Sequence, residues 1–168
     1  KVSGATIYDF DGEGTANNPY KIYSKDELRA LNNMVSNGYD ATGEHYILLS
    51  NIDNMDFCIG TITNPFTGIF DGNNLTINLN LEGRLNIALF QGIGPNAVIK
   101  NLTTTGKVTV QEGSSAALVV SASLVGATGS GQDIYIQNCI NRAEIVSDGG
   151  NSIGGIISFV EQLSSNEF

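Results

Sequence analysis

One short pattern recurs four times along the chain and constrains the fold more than any other feature. It consists of an apolar residue, any residue, an asparagine and a second apolar residue. The copies are Leu49-Ser50-Asn51-Ile52, Thr76-Ile77-Asn78-Leu79 (with threonine in the first apolar position), Ile99-Lys100-Asn101-Leu102 and Ile136-Gln137-Asn138-Cys139. The asparagines are 27, 23 and 37 residues apart. Repetition at such intervals is typical of a solenoid, in which each repeat stacks on the preceding one.

The asparagine of the pattern has a physical reason to recur. Equivalent corners of successive coils lie about 4.8 Å apart, so their amides can stack and bond to one another. Asparagine also tolerates the left-handed backbone of a sharp corner. We therefore predict that Asn51, Asn78, Asn101 and Asn138 align in one column, an asparagine ladder.

Composition favours many short strands within one domain. The 168 residues include 20 glycines but only 3 prolines, and 15% are charged. Turns must therefore be made largely by glycine, asparagine and aspartate. We predict a single domain over residues 1–168, with an N-terminal strand and capping helix in residues 1–45 and the coils of a β-helix in residues 46–168.

The predicted helix begins after Ser24, which forms a capping box with Glu27, and ends before Gly38. Its single apolar stripe contains Leu28, Leu31 and Val35. Such a narrow stripe is suited to covering the open end of a solenoid, where core side chains and strand edges would otherwise be exposed.

Short strand-like runs follow the helix, with glycine or asparagine corners between them. They are residues 46–49, 75–81, 87–90, 98–102, 107–110, 118–120, 134–136 and 144–146. The longest repeat interval predicts an insertion, which we place in residues 111–123. Residues 154–168 begin another coil, so we expect that the natural chain continues or that an edge is left open.

Charge and hydropathy exclude two classes of partner. The net charge of −9 repels phosphate backbones, which argues against nucleic acid. No apolar run approaches the roughly 20 residues of a membrane-spanning helix. The first residue, Lys1, is typical of a mature secreted protein or an excised fragment. Cys58 and Cys139 have no metal-ligand spacing, and we interpret Cys139 as a small apolar residue of the repeat and not half of a disulfide.

A set of glycine- and asparagine-containing segments runs through the first half of the chain. They are Gly12-x-Gly14-Thr15, Asn18-Pro19-Tyr20-x-Ile22, Asp26-x-Leu28-x-x-Leu31, Ile52-Asp53 and Pro65-Phe66-x-Gly68-x-Phe70-Asp71-Gly72-Asn73. In these segments the chain resembles the GLUG-repeat proteins, secreted or surface-attached bacterial proteins that include adhesin-like proteins and the non-catalytic repeats of immunoglobulin A peptidases. The resemblance implies a right-handed parallel β-helix on a cell surface.

Parallel β-helices also include polysaccharide lyases and glycoside hydrolases, which line a groove with carboxylates and a base. The best candidates for such a groove are the carboxylates of Asp53, Asp56 and Asp71 with Arg84 or Arg142 as the base. Because these aspartates flank asparagine and glycine corners, we interpret them as turn residues. Three carboxylates within about 6 Å and a base in one solvent groove would favour an enzyme.

The remaining polar candidates favour structural roles. His45 is the single histidine, which excludes the zinc motif of the peptidase relatives, and we interpret it as a surface or half-buried residue. Residues 9–14 match a calcium loop poorly and are predicted to form a turn. Several tyrosines could provide a sugar platform, but isolated tyrosines more often pack at strand ends: Tyr8, Tyr20, Tyr23, Tyr39 and Tyr135.

We predict an all-β, right-handed parallel β-helix with one N-terminal capping α-helix. Its expected function is that of a non-catalytic, secreted or cell-surface, adhesin-like module: a spacer, or a platform for a host or bacterial glycan or surface protein. The alternatives are a carbohydrate-active β-helix enzyme and the accessory N-terminal region of a larger secreted peptidase. The sequence points to no catalytic, ligand-binding or metal-binding residue and to no cofactor.

Overall fold

Strands dominate the computed structural model, which describes residues 8–123 and 132–161. These residues form thirteen strands and one helix, so the prediction of an all-β fold with one N-terminal helix is confirmed. In chain order the elements are β1 (Tyr20–Ile22), α1 (Lys25–Ser36), β2 (His45–Leu48), β3 (Ile52–Met55), β4 (Ile69–Gly83), β5 (Phe90–Ile93), β6 (Val98–Val110), β7 (Gly113–Ser115), β8 (Val119–Ser123), β9 (Tyr135–Gln137), β10 (Ile140–Asn141), β11 (Glu144–Ser147), β12 (Gly150–Ile153) and β13 (Ile157–Glu161).

Every strand pair in the described ranges is parallel. The largest sheet has the order β1-β2-β4-β6-β10, with β3 paired to β4, and β9 and β11 paired to β6. Two smaller sheets have the orders β5-β8-β13 and β12-β7. Along the large sheet Tyr20 is paired with Tyr46, Tyr46 with Phe70 and Phe70 with Ile99. Successive passages of the chain therefore lie side by side, 24 to 29 residues apart in sequence.

Helix α1 forms where the sequence predicts it. The Ser24 side chain accepts a hydrogen bond from the backbone of the first turn, and the Glu27 carboxylate accepts one from the Ser24 N–H at 2.9 Å, which completes the capping box. Gly38, at φ +86°, follows the helix end. The apolar face, formed by Leu28, Leu31, Met34 and Val35, is buried in the main core. Contacts with β1 and β3 hold the helix against the first strands.

Aromatic rings form a continuous chain through the core. Tyr46 contacts Phe66 with ring centroids 5.9 Å apart, Phe66 contacts Phe90 at 5.4 Å, and Phe90 contacts Phe70 at 5.5 Å. All four side chains are fully buried. Tyr46 and Phe66 belong to one passage of the chain, and Phe70 and Phe90 belong to the next. The contact of Phe66 with Phe90 therefore joins the two passages, and each ring contact adds about 0.5–1.5 kcal/mol beyond its area burial.

The asparagine column is present but differs from the predicted one. Asn101 and Asn138 both have left-handed backbones, and the Asn138 amide donates to Asn101 Oδ1 at 3.2 Å. The Asn101 amide donates in turn to Asp71 Oδ1 at 3.0 Å. Asn78 is not in this column, because it lies within β4 opposite Thr105, to whose hydroxyl it donates at 3.1 Å. Asn51 is also separate and accepts from the Thr76 N–H at 2.9 Å.

The predicted insertion in residues 111–123 is also wrong. Those residues contain β7 and β8, and β8 stays in register with β5, with Phe90 opposite Val119 and Ile93 opposite Ala122. The next aligned residue is Tyr135, opposite Val98. Thirteen positions separate Ala122 from Tyr135, whereas five separate the equivalent Ile93 and Val98. The extra eight residues therefore fall between β8 and β9, where residues 124–131 lie outside the described ranges.

Two strands are longer than the sequence predicts. The predicted runs 98–102 and 107–110 are one strand, β6, and the predicted run 75–81 lies inside β4. The turn-like residues Asn73 and Asn74 have positive φ and shift the register of β4, yet the strand continues through them. Asn101, at φ +54°, has the same position in β6, and Gly106, at φ +86°, lies further along that strand opposite Leu79. Left-handed residues therefore bend these strands without ending them.

Candidate functional site

The outward side chains of the large sheet form two rows, because residues that are equivalent in successive strands lie in register. The charged row contains Lys21, Ile47, Asp71, Lys100 and Gln137. The mixed row contains His45, Ile69, Val98 and Tyr135. Neighbours within a row are about 4.8 Å apart. Between the rows, the inward residues Tyr46, Phe70 and Ile99 are fully buried. The two rows therefore present a regular surface on a rigid core.

A small hollow opens at the centre of this surface. It has a volume of about 100 Å³ and is lined by Ala16, Pro19, His45, Tyr46, Ile47, Asp71 and Lys100. Its wall is the turn that precedes β1, which is tied to the sheet by a hydrogen bond from the His45 N–H to the Gly14 carbonyl oxygen at 2.9 Å. The hollow therefore combines a carboxylate, an ammonium group and an imidazole.

Asp71 is the most constrained group of the hollow. Its Oδ1 accepts from the Asn73 N–H at 2.9 Å and from the Asn101 amide at 3.0 Å, and its Oδ2 lies 3.3 Å from Lys100 Nζ. Burial by itself raises the pKa of the Asp71 carboxyl, but these hydrogen bonds and the Lys100 charge outweigh it, so the pKa lies below its usual value. Asp71 is therefore an anion fixed in position.

The other groups of the hollow can still bond to a ligand. Lys100 has three N–H donors and lies against one carboxylate oxygen, Asp71 Oδ2, and the His45 ring makes no hydrogen bond within the described part of the chain. Donors and acceptors arranged so closely suit the hydroxyl groups of a sugar or the polar groups of a peptide. From the sequence alone, Asp71 is a candidate site residue and His45 is interpreted as a surface or half-buried residue. The sequence gives no signal for Lys100, because its position beside Asp71 follows from the register of the strands.

The three aspartates named for the enzyme alternative have separate surroundings. Asp56 is bound to Lys25 Nζ at 3.2 Å and to Arg29 at 3.5 Å, both on α1. Asp53 is exposed on β3, and the described ranges give it no ion pair. Neither candidate base forms an ion pair with these aspartates within the described residues. Arg84 is bound to Glu112 at 3.2 Å, and Arg142 is exposed after β10. Within the described residues, no group of three or more histidine, cysteine, aspartate or glutamate side chains could hold a metal ion.

The acidic segment at residues 9–14 forms the predicted turn. Asp11 accepts from Lys21 Nζ and from the Tyr23 hydroxyl, both at 2.9 Å. These hydrogen bonds lower the pKa of the Asp11 carboxyl, and the bond from Lys21 has the larger effect. Asp11 therefore fastens the turn to β1.

The tyrosines and cysteines differ in environment. Tyr20 and Tyr39 are half-buried, and the Tyr39 hydroxyl donates to Glu44 at 2.6 Å. Three tyrosines are exposed: Tyr8, Tyr23 and Tyr135. Of these, Tyr135 stands in the mixed row.

Both cysteines are free, and Cys139 packs against the main core, as predicted. Burial raises the pKa of the thiols of Cys58 and Cys139.

Comparison with known proteins gives distant relatives. No family model matches the chain, and no solved structure matches it. The chain is 32% identical over 117 residues to a Gly-rich membrane protein of Evansella cellulosilytica, and 35% identical over 106 residues to halomucin of Haloquadratum walsbyi. These matches cover 62% and 56% of this chain but only 13% and 1% of the relatives. None of the helices in the described ranges has the length and apolarity to cross a membrane.

Proposed function

We propose that the chain is a right-handed parallel β-helix that acts as a non-catalytic, adhesin-like module of the cell surface, and that its sheet is a platform for a glycan or protein ligand. The observation that carries the proposal is the unbroken parallel register of β1, β2, β4, β6 and β9. Parallel crossovers are right-handed in nearly all proteins, which supports the handedness. Such stacking gives a stiff body, which suits the role of a spacer as well as that of a platform.

Two further observations support this proposal. The chain matches segments of far longer proteins, one named as a membrane protein and the other as halomucin, which favours a module within an extended surface protein. The resemblance to GLUG-repeat proteins points to the same location. On the chemical side, the hollow brings fixed polar groups of opposite charge to the surface of the sheet, next to the half-exposed apolar side chains of the mixed row.

A binding experiment with two matched variants tests the platform. The purified chain is screened on a glycan array and on immobilised surface proteins, beside Lys100→Gln, which removes the ammonium group of the hollow, and Arg84→Gln, which removes a cation outside both rows. We expect saturable binding that Lys100→Gln weakens at least about tenfold and that Arg84→Gln leaves unchanged. Equal binding by both variants would place the ligand elsewhere, and release of cleaved glycan would establish the enzyme alternative.

A further inference from the structure

The carboxyl end of α1 carries the one asparagine of the sequence that is followed directly by a glycine, Asn37-Gly38. An asparagine in this position can react with its own backbone: the nitrogen of the next residue attacks the side-chain carbonyl carbon, and ammonia leaves. Glycine favours the reaction because it has no β-carbon to obstruct the ring that forms. Asn37 is exposed, so water has access to it. The pair is therefore a candidate for spontaneous deamidation.

Both reacting groups are held by hydrogen bonds in the folded chain. The Asn37 side-chain amide donates to the Asn33 carbonyl oxygen at 2.7 Å, back along the helix. The Gly38 N–H donates to the Val35 carbonyl oxygen at 2.8 Å, and Gly38 is fixed at φ +86°. Attack requires a deprotonated Gly38 nitrogen next to the side-chain carbon of Asn37, so both hydrogen bonds must break first. The last turn of α1 therefore controls the reaction.

A side-chain amide from a neighbouring loop holds this turn in place. Asn64 Nδ2 donates to the Ser36 carbonyl oxygen at 2.9 Å, directly before Asn37. Helix ends open more readily than the buried middle of a helix, and each such hydrogen bond lowers the fraction of time that an end is open. The bond from Asn64 should therefore slow the reaction at Asn37.

The product of deamidation no longer fits the helix end. An aspartate at position 37 cannot donate to the Asn33 carbonyl oxygen, and it adds a negative charge at the negative end of the helix dipole. The last turn has no basic residue to offset that charge, and the acidic Asp40 follows closely along the chain. Isoaspartate also lengthens the backbone, which displaces the Tyr39 N–H from the Met34 carbonyl oxygen, to which it donates at 3.0 Å. The modification therefore loosens the turn in which it occurs.

We propose that Asn37 is a self-modification site at which the opening of the last turn of α1 sets the rate of deamidation. The Gly38 nitrogen forms a bond to Asn37 Cγ, the bond from Cγ to the amide nitrogen breaks, and the Gly38 proton passes through solvent to the departing ammonia. Water then adds to either carbonyl of the cyclic imide and gives aspartate or isoaspartate. No reagent other than water takes part. The inference rests on α1 and is independent of a ligand on the sheet surface.

Mass spectrometry of digested samples measures the reaction, because deamidation raises the mass of the peptide that contains residue 37. The intact chain, the chain unfolded in urea and a synthetic peptide of residues 33–42 are incubated in the same mildly alkaline buffer. We expect Asn37 to react at similar rates in the peptide and in the unfolded chain, and at least about tenfold more slowly in the intact chain. Equal rates in all three samples, or an intact chain in which Asn37 stays unmodified, would overturn the proposal.

Two asparagine variants provide a matched control. Asn64→Ala removes the amide that holds Ser36, and Asn78→Ala removes an amide of the large sheet that donates to the Thr105 hydroxyl at 3.1 Å. We expect Asn64→Ala to speed the reaction of Asn37 at least about threefold and Asn78→Ala to leave its rate unchanged. Hydrogen exchange of the amides of residues 36–39 measures the opening itself and should rise in the same proportion. Faster exchange in Asn64→Ala without faster deamidation would show that opening does not set the rate.

Discussion

At the scale of single residues, left-handed backbone positions set the shape of the long strands. Gly106 is at φ +86°, and a β-carbon placed there would collide with the Leu79 backbone of the neighbouring strand. Gly43 has a similar φ of +79° but open space around it. We expect Gly106→Ala to lower the free energy of unfolding by about 3 kcal/mol or more and Gly43→Ala by only about 1 kcal/mol. Urea denaturation measures both, and equal losses would contradict the role of the close strand contact.

Asn101 combines a left-handed backbone with two amide hydrogen bonds. We expect Asn101→Leu to destabilise the fold by about 1 to 3 kcal/mol, since the backbone is strained and the partners lose their bonds. Asn101→Gly removes the amide without the strain and should cost less than Asn101→Leu. An unchanged melting temperature for Asn101→Leu would mean that the column contributes nothing to stability.

The fixed Asp71 anion makes stability depend on pH. Because the pKa of its carboxyl is lower in the folded chain than in the unfolded chain, its stabilisation is complete above about pH 5 and is lost as the pH falls through 4 and below. We expect Asp71→Asn to be less stable than the parent at pH 7 and to approach it near pH 3. Asp53→Asn, at an exposed aspartate, is the control, and a difference between Asp71→Asn and the parent that is constant with pH would contradict the assignment.

The backbone conformation of single residues could be predicted from the sequence, but the residues that they contact could not. The left-handed corners at Asn101 and Asn138 follow from the known tolerance of asparagine for this conformation. Asn78 occupies the same four-residue pattern as Asn101, and yet its backbone is not left-handed and it lies opposite Thr105, because the register of β4 against β6 decides which residues meet. Register is a long-range property that a four-residue pattern does not contain.

At the scale of elements, α1 was predictable because its signals are local. The Ser24 hydroxyl and the Glu27 carboxylate complete a capping box at its start. We expect Ser24→Ala to cost about 1 kcal/mol and Ser24→Thr, which keeps the hydroxyl, much less. Thermal denaturation followed by circular dichroism measures the difference. Equal effects of the two substitutions would show that the cap hydroxyl is not needed.

The strands were predictable in kind but not in extent. Alternating apolar residues predict parts of β2, β4 and β6, while glycine and asparagine predict strand ends. In the folded chain these residues are accommodated as bends, since the neighbouring strand supplies hydrogen bonds on both sides of Gly106 and of the Asn73 corner. Local turn chemistry therefore overestimates the number of strands when long-range pairing continues across a bend.

At the scale of the whole molecule, stability should be unevenly distributed. Within the described residues, β4 and β6 have buried interiors and are paired with strands on both sides, whereas β9 to β13 are paired on one side. A segment that is paired on one side opens more easily than one that is paired on both. We expect native-state hydrogen exchange to give lower opening free energies for residues 135–161 than for residues 69–110. Uniform values would indicate that the chain opens as one cooperative unit.

The eight additional residues between β8 and β9 have a practical consequence. Strand register is regained at Tyr135 opposite Val98, so the extra length leaves the pairing of the strands unchanged. A connection whose added length leaves the strand pairing intact is a natural place to insert a foreign epitope or a protease cleavage site. Because β9 stays paired with β6, we expect such an insertion to leave the large sheet intact.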